Sequence, residues 1–177
     1  MQKLSLLIRT DTFILRKLQM SDAESLAKHA NEKLIAKNLS LLPYPYTLEF
    51  AKKWLSKSCK DYLKKFPNSF SYAIEIDGEA VGYVSFNFIV HGHEAEIVYW
   101  IGKKYWGRGL MTKIIETATH FAMKKFHLKR IYAYTFPLNK ASKRVLEKNK
   151  FRFEGIARKG VRKGKICLDA DVYSKVI

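Results

Sequence analysis

The sequence predicts a mixed α/β (α+β) domain built on one central, mostly antiparallel sheet. Three observations carry that prediction. Runs of β-branched and aromatic residues recur along the chain, interleaved with segments of helical periodicity. Short turn signals, Asp77-Gly78 above all, join some strand-like runs directly and imply hairpins. One strand-like run instead leads through a glycine loop and a helix into the next strand, which implies a parallel crossover. At 177 residues and 47% apolar, the chain is long enough to bury a proper core.

Taken in order, residues 11–19, DTFILRKLQ, alternate apolar and polar and read as a strand. Ser21 with Glu24 forms a capping box, so a first helix is expected to start near Asp22 within residues 20–33. Pro43 and Pro45 then break the helical pattern. Thr47 is placed to cap a second helix over residues 48–66. There Phe50, Trp54, Leu55, Tyr62 and Phe66 share one face, with lysines opposite. Three strands follow, over residues 69–76, 80–90 and 94–101, the last two separated by the turn His91-Gly92-His93. A helix over residues 110–126, a strand over 130–136 and a helix over 139–149 come next. A closing hairpin turns near Lys163-Gly164. The expected order is β-α-α-β-β-β-α-β-α-β-β, with about four helices.

Charge is the outlying property. Thirty-three Lys and Arg against sixteen Asp and Glu give a net charge of +17. Such a chain attracts anions: phosphates, nucleic acid or acidic proteins. A polycationic substrate is disfavoured. The apolar patch near the N-terminus is too short for a signal-peptide core, and no apolar run approaches the ~20 residues of a membrane span. No membrane association is expected. Cys59 and Cys167 are isolated and match no zinc spacing; a cytoplasmic, reducing location is expected, with a single disulfide left open. His91, His93 and Glu94 lack a third distant ligand, so a polar turn is expected there and no metal. The basic stretch ARKGVRKGK reads as a solvated hairpin tip.

The stretch KKYWGRGLMTKII puts Gly107 and Gly109 where a helix begins. A helix start leaves backbone N–H groups unpaired at its positive dipole end. Glycines let that backbone approach an anion with no Cβ in the way. The loop is therefore a candidate phosphate cradle. It lacks the Lys-Ser/Thr ending of a Walker loop and the third glycine of a dinucleotide fingerprint.

This loop, Lys104-Tyr105-Trp106-Gly107-Arg108-Gly109, resembles the Gln/Arg-x-x-Gly-x-Gly/Ala signature of the GNAT superfamily of N-acetyltransferases, with Lys104 replacing the usual Gln or Arg. NKASKRVLEKNKF is similar to the family's N-x-x-S-x-x-x-L-E-K-x-G-F segment, with Lys150 in place of its glycine. TDTFILRKLQMSDAESL and PYTLEFAKKWL resemble the opening of the RimJ/RimL-like branch, whose members acetylate protein N-termini and some small amines. The resemblance runs from about Ile8 to Tyr173. It implies one GNAT domain over residues 1–177, with a sheet whose parallel pair splays apart.

The resemblance also assigns roles. It implies acetyl-CoA as cosubstrate, bound between the strands over residues 96–101 and 130–136. Backbone groups of Tyr99, Trp100 and Ile101 are expected to pair with the pantetheine arm. Amides of Trp106, Gly107, Arg108, Gly109, Leu110 and Met111 are expected to hold the pyrophosphate. Asn139 is expected at the pantetheine end and Ser142 near the thioester sulfur, with Lys143 or Arg144 reaching the adenosine phosphates. Tyr44 and Tyr46 are expected on the acceptor side. Where many members carry a tyrosine to protonate the leaving thiolate, this chain has Leu146, so Ser142 is the substitute acid. Glu94 and Glu96 share one face of a strand, and either is a candidate base; Glu96 lies nearer the splay and is preferred.

The expected reaction is acetyl transfer to a primary amine, with a protein N-terminus, such as that of a ribosomal protein, as the favoured acceptor and ribosome association as a corollary. A small amine, amino acid or antibiotic is the alternative acceptor. A basic RNA- or ribosome-binding module on the same scaffold is the alternative from another class. Monomer and homodimer are both open.

Overall fold

A computed structural model describes residues 7–177. Most of the apolar N-terminal patch falls in residues 1–6, outside them. Eight strands form one sheet in the order β1-β2-β3-β4-β5-β6-β8-β7. They are β1 (Ile8–Arg9), β2 (Ile14–Arg16), β3 (Ser69–Ile76), β4 (Glu79–Val90), β5 (Glu94–Ile101), β6 (Arg130–Thr135), β7 (Arg152–Lys163) and β8 (Ile166–Val176). Every neighbouring pair is antiparallel except β5 with β6. Five helices are described: α1 (Ala23–Ala30), α2 (Lys33–Asn38), α3 (Leu48–Asp61), α4 (Leu110–Phe126) and α5 (Lys140–Lys148).

The sheet divides two cores. On one face α4 packs Ile114, Ile115, Ala118, Ala122 and Phe126 against Val84, Phe86, Ile97 and Ile131, and Leu146 of α5 joins them. On the other face α1, α2 and α3 pack Leu26, Ala30, Ile35, Ala51 and Leu55 around Ala73 and Trp100. Alternation along β5 explains the division: Ala95, Ile97 and Ile101 enter the first core, Trp100 the second. No helix among the described residues is long and apolar enough to cross a membrane.

Four local expectations need correction. The Ser21–Glu24 capping box does not form. Gln19 and Asp22 form the reciprocal pair instead, around a short 3-10 turn, and the α-helix starts at Ala23. The reason is long-range: the Arg16 guanidinium grips both Asp22 oxygens at 2.8 Å, and Asp22 also accepts from the Gln19 amide. The helix expected through residue 33 ends at Ala30, and α2 follows as a separate short helix, one of five among the described residues. The helix capped by Thr47, whose hydroxyl accepts from the Phe50 amide at 3.2 Å, stops at Asp61 and not at Phe66. Asp61 is held there by Ser69 and Lys64, and Phe66 turns outward against His91. Finally, β1 pairs with β2 as an unforeseen hairpin.

Candidate active site

The one parallel pair supplies the geometry of the site. β5 and β6 are paired at Glu94/Arg130, Ala95/Ile131 and Glu96/Tyr132, and beyond that rung they part. β6 continues to Thr135 bonded only to β8, while β5 continues to Ile101 bonded to β4. A cavity of about 520 Å³ opens in the fork, within the range of small-molecule sites. Its walls are Ile97 to Ile101, Ala133 to Thr135, the glycine loop, the first turns of α4 and α5, and Leu34, Ile35, Asn38 and Leu39 of and after α2.

The glycine loop adopts the backbone that its composition requires. Gly107 has φ 76° and Gly109 φ 71°, the left-handed region, and a Cβ at either would meet open space. Glycine is therefore set here by the backbone angle rather than by crowding. The indole N–H of Trp106 donates to the Ile101 carbonyl at 2.8 Å, which pins the loop to the end of β5. The Trp106 amide is already committed to Lys103 at 3.0 Å. From Gly107 to Met111, five successive amides donate to nothing among the described residues. Together with the dipole of α4 they form an anion-binding end. The Lys104 ammonium lies 3.6 Å from Glu79 and over the Tyr105 ring, and Arg108 is exposed. His29 packs so close to Gly102 that a Cβ there would lie 2.8 Å from its Nδ1. Lys28, and after it His29, hold the Glu79 carboxyl down at about 2.

The opposite wall carries Asn139, Ser142 and Arg144. Asn139 caps α5, its Oδ1 accepting from the Ser142 amide at 3.1 Å. The Ser142 hydroxyl lies 2.9 Å from the Tyr99 hydroxyl. Burial pushes the Tyr99 phenol well up, so it stays protonated. Leu146 is fully buried in the core. Lys143 does not point to the cavity; it pairs with Asp171. Thr135 adds a buried hydroxyl with no partner among the described residues.

The two glutamates part company. Glu94 is paired with Arg130 at 2.9 Å, and Arg130 also holds Glu154. Glu96 stands at the last paired rung, flanked by Asn87 and Tyr132 across the sheet, with no ion-pair or hydrogen-bond partner among the described residues. Burial raises its carboxyl to about 7. It lies one residue below the first wall residue of the cavity, on the α1–α3 face, while Tyr99 and Ser142 lie towards α4 and α5.

Tyr44 and Tyr46 are not brought to this cavity. Tyr46 is buried in the second core against Phe50, and Tyr44 is exposed and lines a separate groove behind α2. Sequence reasoning missed the Tyr99 hydroxyl and the α2 wall. Alternation along β5 puts Tyr99 on the α4 face with Ile97 and Ile101, a signal that was there to read. The six residues of α2 carry no comparable one. Among the described residues no group of three or more His, Cys, Asp or Glu is disposed to hold a metal ion, and both cysteines are free.

Comparison with known proteins adds to this geometry. The family described as "Acetyltransferase (GNAT) domain" matches residues 12–152. The "Probable N-acetyltransferase YjcK" of Bacillus subtilis (strain 168) is 30% identical over 173 residues, 95% of this chain and 96% of its own. Two solved structures share the fold with TM-scores of 0.85. One is the microcin C7 self immunity acetyltransferase MccE in complex with acetyl-CoA and AMP, 24% identical over 95% of this chain and 94% of its own. The other is RimL, the ribosomal L7/L12 alpha-N-protein acetyltransferase, in complex with coenzyme A, 22% identical over 97% and 98%.

Proposed function

This chain belongs to the GNAT acetyltransferase family, and from that premise we propose that it transfers the acetyl group of acetyl-CoA to the N-terminal α-amino group of a protein, a ribosomal protein being the leading acceptor. One observation carries the reading: the β5–β6 fork has five donor amides at one end of its cavity and an unpaired, raised-pKa carboxyl at its base. Bound in that fork, acetyl-CoA supplies an activated acyl thioester.

This chain's own groups do the rest. The amides of Gly107 to Met111 hold the pyrophosphate, and the β5 backbone beyond Glu96, released from β6, pairs with the pantetheine arm. Backbone N–H groups at the fork stabilise the oxyanion. Glu96 takes the proton of the attacking amine through a water, since it lies just below the cavity wall. Its value of about 7 is close to the ~8 of an α-amino group and far from the ~10.4 of lysine, which favours an N-terminus over a lysine side chain. Ser142, bonded to Tyr99, donates a hydrogen bond to the leaving thiolate, which at a pKa of ~8.5 departs as the anion and takes its proton from water. We assign the enzyme to the cytoplasm, in keeping with its free thiols. The L7/L12 acetyltransferase with the same fold supports the acceptor class.

The test is calorimetric titration with acetyl-CoA and CoA, repeated on Gly107→Glu, followed by steady-state assays on peptides with free N-termini. Saturable binding lost in the variant, and acetylation of peptides, are expected. Absence of wild-type binding at moderate salt, with nucleic acid bound instead, would reject the enzyme reading. Acetylation confined to small amines would reject the protein acceptor.

A further inference from the structure

A second groove lies behind α2, and we propose that it receives an acidic stretch of the acceptor polypeptide a few residues downstream of the reacting N-terminus. The proposal rests on the acetyltransferase reading above and names the class of acceptor which that site takes.

The short helix α2 is a partition. Leu34, Ile35 and Asn38 face the cleft, whereas Lys33, Ala36 and Lys37 face the groove, as helical spacing dictates. The far side of the groove is the turn of the β7–β8 hairpin at Arg162 to Gly164. The hairpin is tied to the helix: the Lys163 ammonium donates to the Ala36 and Lys37 carbonyls and lies over the Phe136 ring just past β6. The groove is therefore built by tertiary contacts and is not a crease between loose segments.

Its chemistry is one-sided. Lys33, Lys37, Arg162 and Lys163 line it, and no Asp or Glu does. Lys163 is spent on the α2 carbonyls. Lys33, Lys37 and Arg162 have no carboxylate partner among the described residues. The floor is apolar, with Leu41 82% and Tyr44 49% exposed. Three cations without a carboxylate, Lys33 over the Tyr44 ring, Lys37, and Arg162 with its Nε on the Gly164 carbonyl, stand beside an exposed leucine and tyrosine and suit a polypeptide that carries carboxylates and an apolar side chain. The apolar floor makes a phosphodiester backbone the poorer fit.

The groove also continues the cleft. Asn38 and Leu39 line the cleft, and the next residues, Ser40 and Leu41, line the groove. A chain leaving the fork around the end of α2 must pass a helix ~10–12 Å wide. At ~3.3–3.6 Å per extended residue, the groove is reached about three to four residues from the N-terminus.

The experiment uses two hexapeptides with the same first two residues and either glutamates or lysines at positions 3 to 6. N-acetylated, dye-labelled forms report binding by fluorescence anisotropy; forms with free N-termini report acetylation. Each is measured on wild type and on the double variant Lys37→Glu/Arg162→Glu, whose altered side chains are exposed. Wild type should bind the glutamate peptide at least about tenfold more tightly than the lysine peptide, with kcat/KM following the same order, and the variant should erase or invert both preferences. An unchanged preference in the variant overturns the proposal. So does a binding preference that kcat/KM ignores, or displacement of the bound glutamate peptide by an RNA oligomer whose own binding the variant abolishes. No acetylation of either peptide, with the glutamate peptide still bound at the groove, would instead sink the N-terminal-acceptor reading and leave the acidic-ligand site standing.

Discussion

Glu96 and Glu94 are two residues apart on one strand, yet their surroundings give them different chemistry. Arg130 neutralises Glu94, while the Glu96 carboxyl is desolvated without compensation and rises to about 7. As the base we propose, it must be ionised, so kcat/KM should climb with pH through about 7. Glu96→Gln should lower kcat/KM by about 10²–10⁴ and leave only the amine's own titration near ~8 in the pH profile. The same substitution makes a stability prediction of opposite sense. A carboxyl raised from 4.5 to about 7 favours the folded state at low pH, and that contribution is lost as pH rises through about 7. Glu96→Gln should therefore melt above wild type at pH 8, on the order of 2–3 kcal/mol more stable, with little difference at pH 4. Thermal scans at the two pH values check it, and a variant less stable at pH 8 would refute the desolvated carboxylate.

At the scale of elements, the start of α1 shows how a strand decides where a helix begins. Asp22 is buried and joins β2, the 3-10 turn and α1 through Arg16 and the Gln19 amide. Removing its carboxylate strands the Arg16 guanidinium beside Glu75 alone and unpairs the turn. Asp22→Ala should cost about 3 kcal/mol or more in urea unfolding, with an unchanged m-value. Ser21→Ala, at an exposed residue whose hydroxyl meets only the Gln19 side chain, should cost less than about 0.5 kcal/mol. Equal costs at the two positions would restore the Ser21–Glu24 box. The glycine loop follows the same logic in reverse, since Trp106 on Ile101 anchors it while Gly107 and Gly109 leave its amides free to face a ligand.

Across the whole molecule, the net charge is +17, and the ligand we propose for the cleft, acetyl-CoA, is a polyanion. Long-range attraction of that kind is screened over ~10 Å at 0.1 M salt. Raising salt from about 50 to about 500 mM should therefore increase KM for acetyl-CoA several-fold, with kcat nearly constant. Stopped initial rates at matched osmolality measure it; a flat KM would mean that the excess charge lies away from the cleft. The polar contacts that tie β7–β8 to α2 fit the same picture, because they keep a basic rim beside the path we propose for the acceptor.

Much of this was legible in the sequence because it depends on neighbours within a few residues. The strand-like runs of β3 to β6, the Thr47 cap, the glycine turn before α4 and the Lys163-Gly164 turn are all local physics, and each was read at or near its place. What the tertiary structure decided depends on partners far along the chain. Arg130, 36 residues on, pairs with Glu94, whereas the Glu96 carboxyl has no such partner among the described residues. Ser142, 43 residues on, meets the Tyr99 hydroxyl. Ser69 ends α3 at Asp61, and Lys163 turns α2 into a partition that sends Tyr44 to a groove rather than to the cleft. Local pattern determines which elements form, because helix caps and strand alternation are settled within one turn or one pleat. Which titratable group is buried without a partner is settled only when distant strands and helices close around it.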